Sequence, residues 1–371
     1  MFYTVEVFHP LPRAGRSRRT HVYGTMACMG KSALRCPVDR YYLLVLALLA
    51  SMYTPIVCAQ PSAAWHDPST HKVQFITVDN GVRLEVLDWG GTGRPMVLLA
   101  GAGCTAHIFD GFAEKLTGGF HVYGITRRGF GASSHPEFGY DEQRRVEDVL
   151  RILDSLKLKQ PILVGHSMAG GELTAFAGRH PDRVAGLIYL DAVRDPTRDY
   201  SPIGRKLASA HLHALTQPDP KDASFATYRE WQMARDRFAF PESELRNEYE
   251  TAANGTMGAR RSSGRIYAAL GGTLKPDYSR VHAPVLAIFA MPARPAQMIL
   301  RTYEFNATDE RGPVEEAYNQ LLGFIHEDEK SVRKCRAQVR VVEMPGSDHY
   351  VFLASEADVL REMRSFLGSL N

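Results

Sequence analysis

The chain has 371 residues, 44 Lys and Arg against 41 Asp and Glu, and five cysteines. A charge balance this even, with no Lys/Arg cluster interleaved with aromatics, excludes a nucleic-acid binder of the electrostatic kind. The cysteines show no zinc-ligand spacing, and length alone leaves room for two domains.

The first forty residues are basic and irregular. They lead into the apolar run Tyr41-Tyr42-Leu43-Leu44-Val45-Leu46-Ala47-Leu48-Leu49-Ala50 and then Val57-Cys58-Ala59-Gln60. A basic region, a short apolar core and a small-residue cleavage site describe a secretory signal over residues 1–59, cut after Ala59. The expected location is therefore secreted or periplasmic. The apolar run is short for a spanning helix, and the alternative is an uncleaved anchor, the only membrane contact expected. The basic region is long, so Met26 and Met29 are alternative starts. Ser17-Arg18-Arg19 resembles a twin-arginine signal but lies far from the apolar core. The leader holds seven basic and two acidic residues, leaving 37 against 39 in the rest, a net charge near −2. Three of the five cysteines also lie in it. Cys104 and Cys335 remain, and they are not expected to pair: Cys104 follows a glycine turn and Cys335 is placed at the end of a surface helix.

Residues 60–72 read as a linker. Residues 73–78 and 83–89 alternate in strand fashion around Asp79-Asn80-Gly81, a hairpin signal. From there strands and helices alternate: strand 96–100 and helix 107–116, strand 122–126 and helix 142–156, strand 162–164 and helix 168–180. Strands 187–190, 285–289 and 339–343 follow, and a closing helix over 355–370. Such alternation predicts an α/β fold, a mostly parallel sheet with helices on both faces. About ninety residues of helical, polar and aromatic sequence separate strands 187–190 and 285–289. Within them, 224–238 and 242–253 have helix-like composition.

The most informative motif is Gly165-His166-Ser167-Met168-Ala169-Gly170, directly after Pro161-Ile162-Leu163-Val164. A buried strand enters a turn of small residues with a serine at its tip, and a helix leaves it. This is the nucleophile-elbow pattern, met in relaxed form because Ala169 replaces the last glycine. A serine nucleophile needs a base, an orienting acid and an oxyanion hole. His349, in Pro345-Gly346-Ser347-Asp348-His349 between the last strand and the last helix, is the base candidate. The oxyanion donors are expected to be the N–H of Met168 and, from Gly101-Ala102-Gly103-Cys104 after strand 96–100, that of Ala102. The segment Thr126-Arg127-Arg128-Gly129-Phe130-Gly131 reads as a loop-shaping element. It matches neither phosphate-cradling glycine pattern.

These segments together resemble the α/β-hydrolase superfamily, in its single-domain, lid-bearing branch, over residues 73–371. Two positions depart from its pattern: Ala100 stands where a histidine is usual and Thr126 where an aspartate is usual. The resemblance implies a helical lid at about 195–281, with Trp231, Met233, Phe238 and Tyr249 as candidate pocket residues, simple lid-to-core packing being the alternative for each. Cys104 is a further pocket candidate. The resemblance places the triad acid a few residues after strand 285–289, where Ala290-Met291-Pro292-Ala293-Arg294-Pro295 holds no carboxylate. The other position the fold uses is the end of the preceding strand, which puts Asp191 forward ahead of Asp195, Asp199 and Asp309. The implied activity is a serine hydrolase acting on a small-molecule carboxylic ester, with no metal or organic cofactor. A serine nucleophile argues against dehalogenase and epoxide-hydrolase chemistry, which uses aspartate in this fold. An amidase, lactonase, C–C hydrolase or acyltransferase on the same triad remains open, as does a non-catalytic ligand-binding homologue.

Overall fold

The computed structural model describes residues 65–210, 212–213, 217–262 and 274–370. The chain divides at residue 68, and the part from Pro68 onward carries every element named below. The expected signal segment, 1–59, lies outside the described residues.

The strands in chain order are β1 (Lys72–Asp79), β2 (Val82–Gly90), β3 (Arg94–Leu99), β4 (Phe120–Ile125), β5 (Ile162–His166), β6 (Gly186–Leu190), β7 (Tyr249–Thr251), β8 (Met257–Arg260), β9 (Val285–Met291) and β10 (Val339–Pro345). Eight of them form one sheet in the order β1-β2-β4-β3-β5-β6-β9-β10. β1 pairs with β2 and β2 with β4 antiparallel; every later neighbour pair is parallel. Among the described residues the helices longer than one turn are α1 (Glu142–Ser155), α2 (Ala169–Arg179), α3 (Ser201–Ser209), α4 (Phe225–Asp236), α5 (Glu242–Glu248), α6 (Thr308–Val332) and α7 (Glu356–Gly368).

The central strands are buried on both faces, as their unbroken apolar runs require. Leu163, Leu187, Tyr189, Val285, Ala287 and Phe289 join one core with side chains of α1, α2, α3 and α6. Their alternating neighbours Ile162, Val164, Ile188, Leu190, Leu286 and Ile288 join the other with Phe109, Phe112 and α7. The period of two along each strand thus divides one run of sequence between two cores. Removing a side chain as enclosed as Leu163 costs about 2–5 kcal/mol.

Four expectations need correction. The helix expected over 107–116 is three short turns, Ala106–Phe109, Asp110–Ala113 and Glu114–Leu116; Gly111 weakens the helix there, and the Asp110 side chain bonds to neighbours outside it. The helix expected over 242–253 ends at Glu248, because Tyr249–Thr251 pairs with Met257–Arg260 around Asn254-Gly255. That dipeptide is a hairpin signal, and Gly255 takes φ +83°. The linker expected to reach residue 72 ends sooner: Thr70 bonds Glu114 and His71 bonds Asp110. Cys335 lies beyond α6 and is buried, not at the surface; it and Cys104 are both free thiols.

Candidate active site

β3, β5, β6, β9 and β10 run parallel, so their carboxyl ends share one sheet edge, where sites in open α/β sheets gather. The register levels those ends: Leu99 opposite Gly165, His166 opposite Leu190, Leu190 opposite Ile288 and Met291 opposite Pro345. The loops leaving them carry Gly101, Ser167, Asp191 and His349.

Ser167 holds φ +54°, the left-handed region that a serine adopts only under constraint. The constraint is packing. A Cβ on Gly165 would lie 2.8 Å from Leu173 and 2.9 Å from the Ala169 Cβ; one on Gly170 would lie 1.7 Å from the Ala192 carbonyl oxygen. The two glycines let α2 press against its own strand and against the loop after β6. Asp191, first residue of that loop, also has a positive φ, +46°. Its N–H donates to the Ile288 carbonyl at 2.8 Å, and its Oδ1 accepts the Ala290 N–H at 3.0 Å. β9 therefore supplies no carboxylate but clamps the one that β6 delivers. The base loop is held similarly: the Gly346 N–H donates to the Met291 carbonyl at 2.7 Å, with Gly346 at φ +71°.

These loops bring three side chains into line. His349 Nε2 lies 2.8 Å from Ser167 Oγ, and His349 Nδ1 lies 2.6 Å from Asp191 Oδ2. Nδ1 carries the proton donated to the carboxylate, which leaves Nε2 as a lone pair for the serine proton. Burial acts on both groups. It pushes the Asp191 carboxyl up, opposed by the Arg194 charge and the Ala290 N–H, and it pushes the His349 imidazole well below its usual range, with Arg194 adding to the effect. A neutral imidazole at rest is the form a general base requires. His166, also driven well below its usual range by burial, places Nε2 3.1 Å from the His349 carbonyl oxygen and so braces the base loop.

The other candidates fall in different places. The Met168 N–H lies at the amino end of α2, the positive end of its dipole. Ala102 sits in the turn closed by the Cys104 N–H and the Gly101 carbonyl. Cys104 is buried with Sγ 3.7 Å from the Tyr350 hydroxyl, and burial with Glu244 and Glu248 holds its thiol well above the usual range. Phe238 is buried with ring centroids 6.0 Å from Tyr350 and 6.4 Å from Phe240, beside the base loop. Trp231 is elsewhere: it packs 5.4 Å from Tyr228 and under the Arg235 guanidinium, in the insertion's own core, as its helical neighbours dictate. Tyr249 joins the same cluster, and Met233 is exposed. Among the rival acids, Asp309 is exposed, Asp199 accepts the Ser201 N–H, and Asp195 pairs with Lys275.

Several contacts around the site have no signal in the sequence. Glu244 of α5, fully enclosed, accepts the Thr105 N–H at 2.9 Å and its hydroxyl at 2.5 Å; Ser243 donates to Asp110. These two contacts moor the insertion beside the Gly101 turn. Thr126, standing where the family has aspartate, donates to Glu85 Oε2 at 2.7 Å and accepts the Ala106 N–H, so β2 supplies a carboxylate at that place. His71, His107 and Asp110 form a cluster of potential metal ligands, but they bond one another: His71 Nδ1 lies 2.8 Å and His107 Nδ1 3.3 Å from Asp110. Burial opposes charge on His107, yet Asp110 and Glu85 outweigh it and raise the imidazole to about 10. The arrangement is an internal polar network centred on the Asp110 carboxylate.

The model of the α/β-hydrolase family matches residues 96–362. A putative non-heme haloperoxidase of Mycobacterium phage D29 is 34% identical over 122 residues, 33% of this chain and 44% of that protein. A bifunctional esterase/perhydrolase of Acinetobacter calcoaceticus is 31% identical over 123 residues, 32% of this chain and 44% of its own length. The matched segments thus span under half the length of these relatives. A solved structure of E-2-(acetamidomethylene)succinate hydrolase has a TM-score of 0.55 at 18% identity, covering 80% of this chain and 99% of that one. At that identity the likeness speaks for the fold alone.

Proposed function

The chain belongs to the α/β-hydrolase family, and from that premise we propose that it is a serine hydrolase cleaving a carboxylic ester through an acyl-enzyme. The observation that carries the reading is the unbroken line from Ser167 Oγ through His349 to Asp191, with contacts of 2.8 and 2.6 Å. Ser167 attacks the acyl carbonyl carbon while His349 Nε2 takes its proton. The Met168 and Ala102 N–H groups stabilise the oxyanion. Collapse of the tetrahedral intermediate expels the alcohol, which receives the proton from His349. Water, activated by the same base, then releases the acid. Asp191 holds the imidazole in its tautomer and stabilises the imidazolium. The insertion at about 195–281 acts as the lid, and its Phe238 packs 6.0 Å from Tyr350, the neighbour of the base. A relative named as an esterase/perhydrolase supports an ester substrate.

The test is labelling with a fluorophosphonate probe, followed by an ester panel of graded acyl length. Wild-type protein should label and turn over at least one ester. Ser167→Ala should lose the label and on the order of 10⁴-fold or more in turnover with its fold intact. Wild-type turnover in that variant refutes the reading.

A further inference from the structure

The Gly101 turn must be held against the nucleophile for its backbone to serve an oxyanion, and one buried side chain does the holding. Arg127 follows β4 by two residues and is 4% exposed. Its Nε donates to both carboxylate oxygens of Glu172, at 2.8 and 2.9 Å. Its Nη1 donates to the Ala100 carbonyl at close range and reaches the Gly101 carbonyl at 3.5 Å. Glu172 lies in the first turn of α2, the helix that starts at the elbow, and is itself fixed by Arg145 Nε at 2.8 Å. Arg127 thus bonds the β3 turn with one side of its guanidinium and the nucleophile helix with the other.

The consequence follows from peptide geometry. A trans peptide points its N–H opposite to its C=O. With the Gly101 carbonyl turned toward Arg127, and also taking the Cys104 N–H at 3.4 Å, the Ala102 N–H of the same peptide is turned the other way. The turn also abuts the elbow: a Cβ on Gly101 would lie 3.1 Å from the Ser167 Cβ and 2.8 Å from His166 Nδ1. Buried arginine–carboxylate pairs also occur at Arg128–Asp148 and Arg145–Glu172; what sets Arg127 apart is its reach to the Ala100 and Gly101 carbonyls of the turn. We propose that Arg127 is a positioning residue for catalysis: braced by Glu172, it sets the Ala102 N–H as an oxyanion donor in register with the elbow. This rests on the serine-hydrolase reading above.

Arg127→Met, Arg127→Lys and Glu172→Gln test it. Functional sites are counted by stoichiometric fluorophosphonate labelling. Then kcat per site, KM and the affinity for a boronic acid, which adds to the serine as a tetrahedral anion, are measured on the same ester. Losing one oxyanion donor costs about 10²- to 10³-fold, so Arg127→Met should lose about 10²-fold in kcat. Boronate affinity should fall in parallel, and KM should hold within about three-fold. Arg127→Lys keeps the charge but not the fork, and Glu172→Gln loosens the brace; both should fall between. If Arg127→Met does not fold, the other two carry the same comparison. Unchanged kcat per labelled site and unchanged boronate affinity, with only the melting temperature lowered, mean a purely structural arginine and overturn the proposal while the serine-hydrolase reading stands. Wild-type turnover in Ser167→Ala overturns both.

Discussion

Asp191→Asn probes the site most sharply, because the structure says what the new side chain would do. Asp191 has two bonds to satisfy: Oδ1 accepts the Ala290 N–H at 3.0 Å and Oδ2 accepts the His349 Nδ1 proton at 2.6 Å. An asparagine in this pocket keeps its carbonyl oxygen on the Ala290 N–H, since its NH₂ group only donates and cannot accept there. Its NH₂ group must then face His349 Nδ1, which can meet it only as a lone pair. The imidazole is forced into the tautomer with the proton on Nε2, 2.8 Å from Ser167 Oγ. A protonated Nε2 cannot take the serine proton, and the imidazolium would lose its counter-charge. The expected loss is about 10⁴-fold in kcat/KM, roughly 5.4 kcal/mol at the barrier. Folding should change by less than about 2 kcal/mol, because the Ala290 bond survives and a buried charge is removed. The assay is ester hydrolysis per labelled serine, beside thermal unfolding, with Asp309→Asn as control. That residue is exposed, and its variant should retain wild-type turnover. A folded Asp191→Asn within about ten-fold of wild type refutes the acid assignment; a deep loss in Asp309→Asn moves the acid past β9; mild effects in both imply a Ser–His dyad.

Cys104→Ser should hydrolyse esters at near-normal rate, since burial and the nearby Glu244 and Glu248 hold the thiol well above its usual range; lost activity with Ser167→Ala still active would reverse the assignment. Glu244 gives a pH test: burial, then Glu248, raise its carboxyl from the ordinary 4.5 to about 8. A raised acid favours the folded state while protonated, so its contribution is complete below pH 4.5 and is lost as pH climbs toward 8. Glu244→Gln should therefore melt with a flatter pH dependence between pH 5 and 8, and parallel profiles for the two proteins would contradict this. Exported protein should begin at Gln60 by mass spectrometry; a cytoplasmic product retaining residues 41–59 would exclude the secretory leader.

The parts of this protein legible in its sequence are those whose determinants are local. Ser167 stands out because strand, small-residue turn and helix are contiguous, and the same residues impose its positive φ. The central strands read correctly because burial on both faces leaves unbroken apolar runs. Asp191 was reachable only by elimination, from a strand end and an acid missing after β9. Its bond to Ala290 joins positions 99 apart, which no local pattern encodes. Glu244 illustrates the limit: in sequence it is one acid among several on a polar helix, and only docking on Thr105, 139 positions away, encloses it. Arg127 was visible as a loop arginine, but its clamp on the Gly101 turn and Glu172 exists only once three strands are side by side. Trp231 shows the converse, an aromatic suited to a pocket that packs instead on its neighbours in the insertion. Sequence alone determined the identity and spacing of the groups able to do the chemistry, because periodicity and turn residues act over a few positions. The tertiary structure decided which groups meet, because parallel strands gather distant loops at one edge, and burial there sets their protonation.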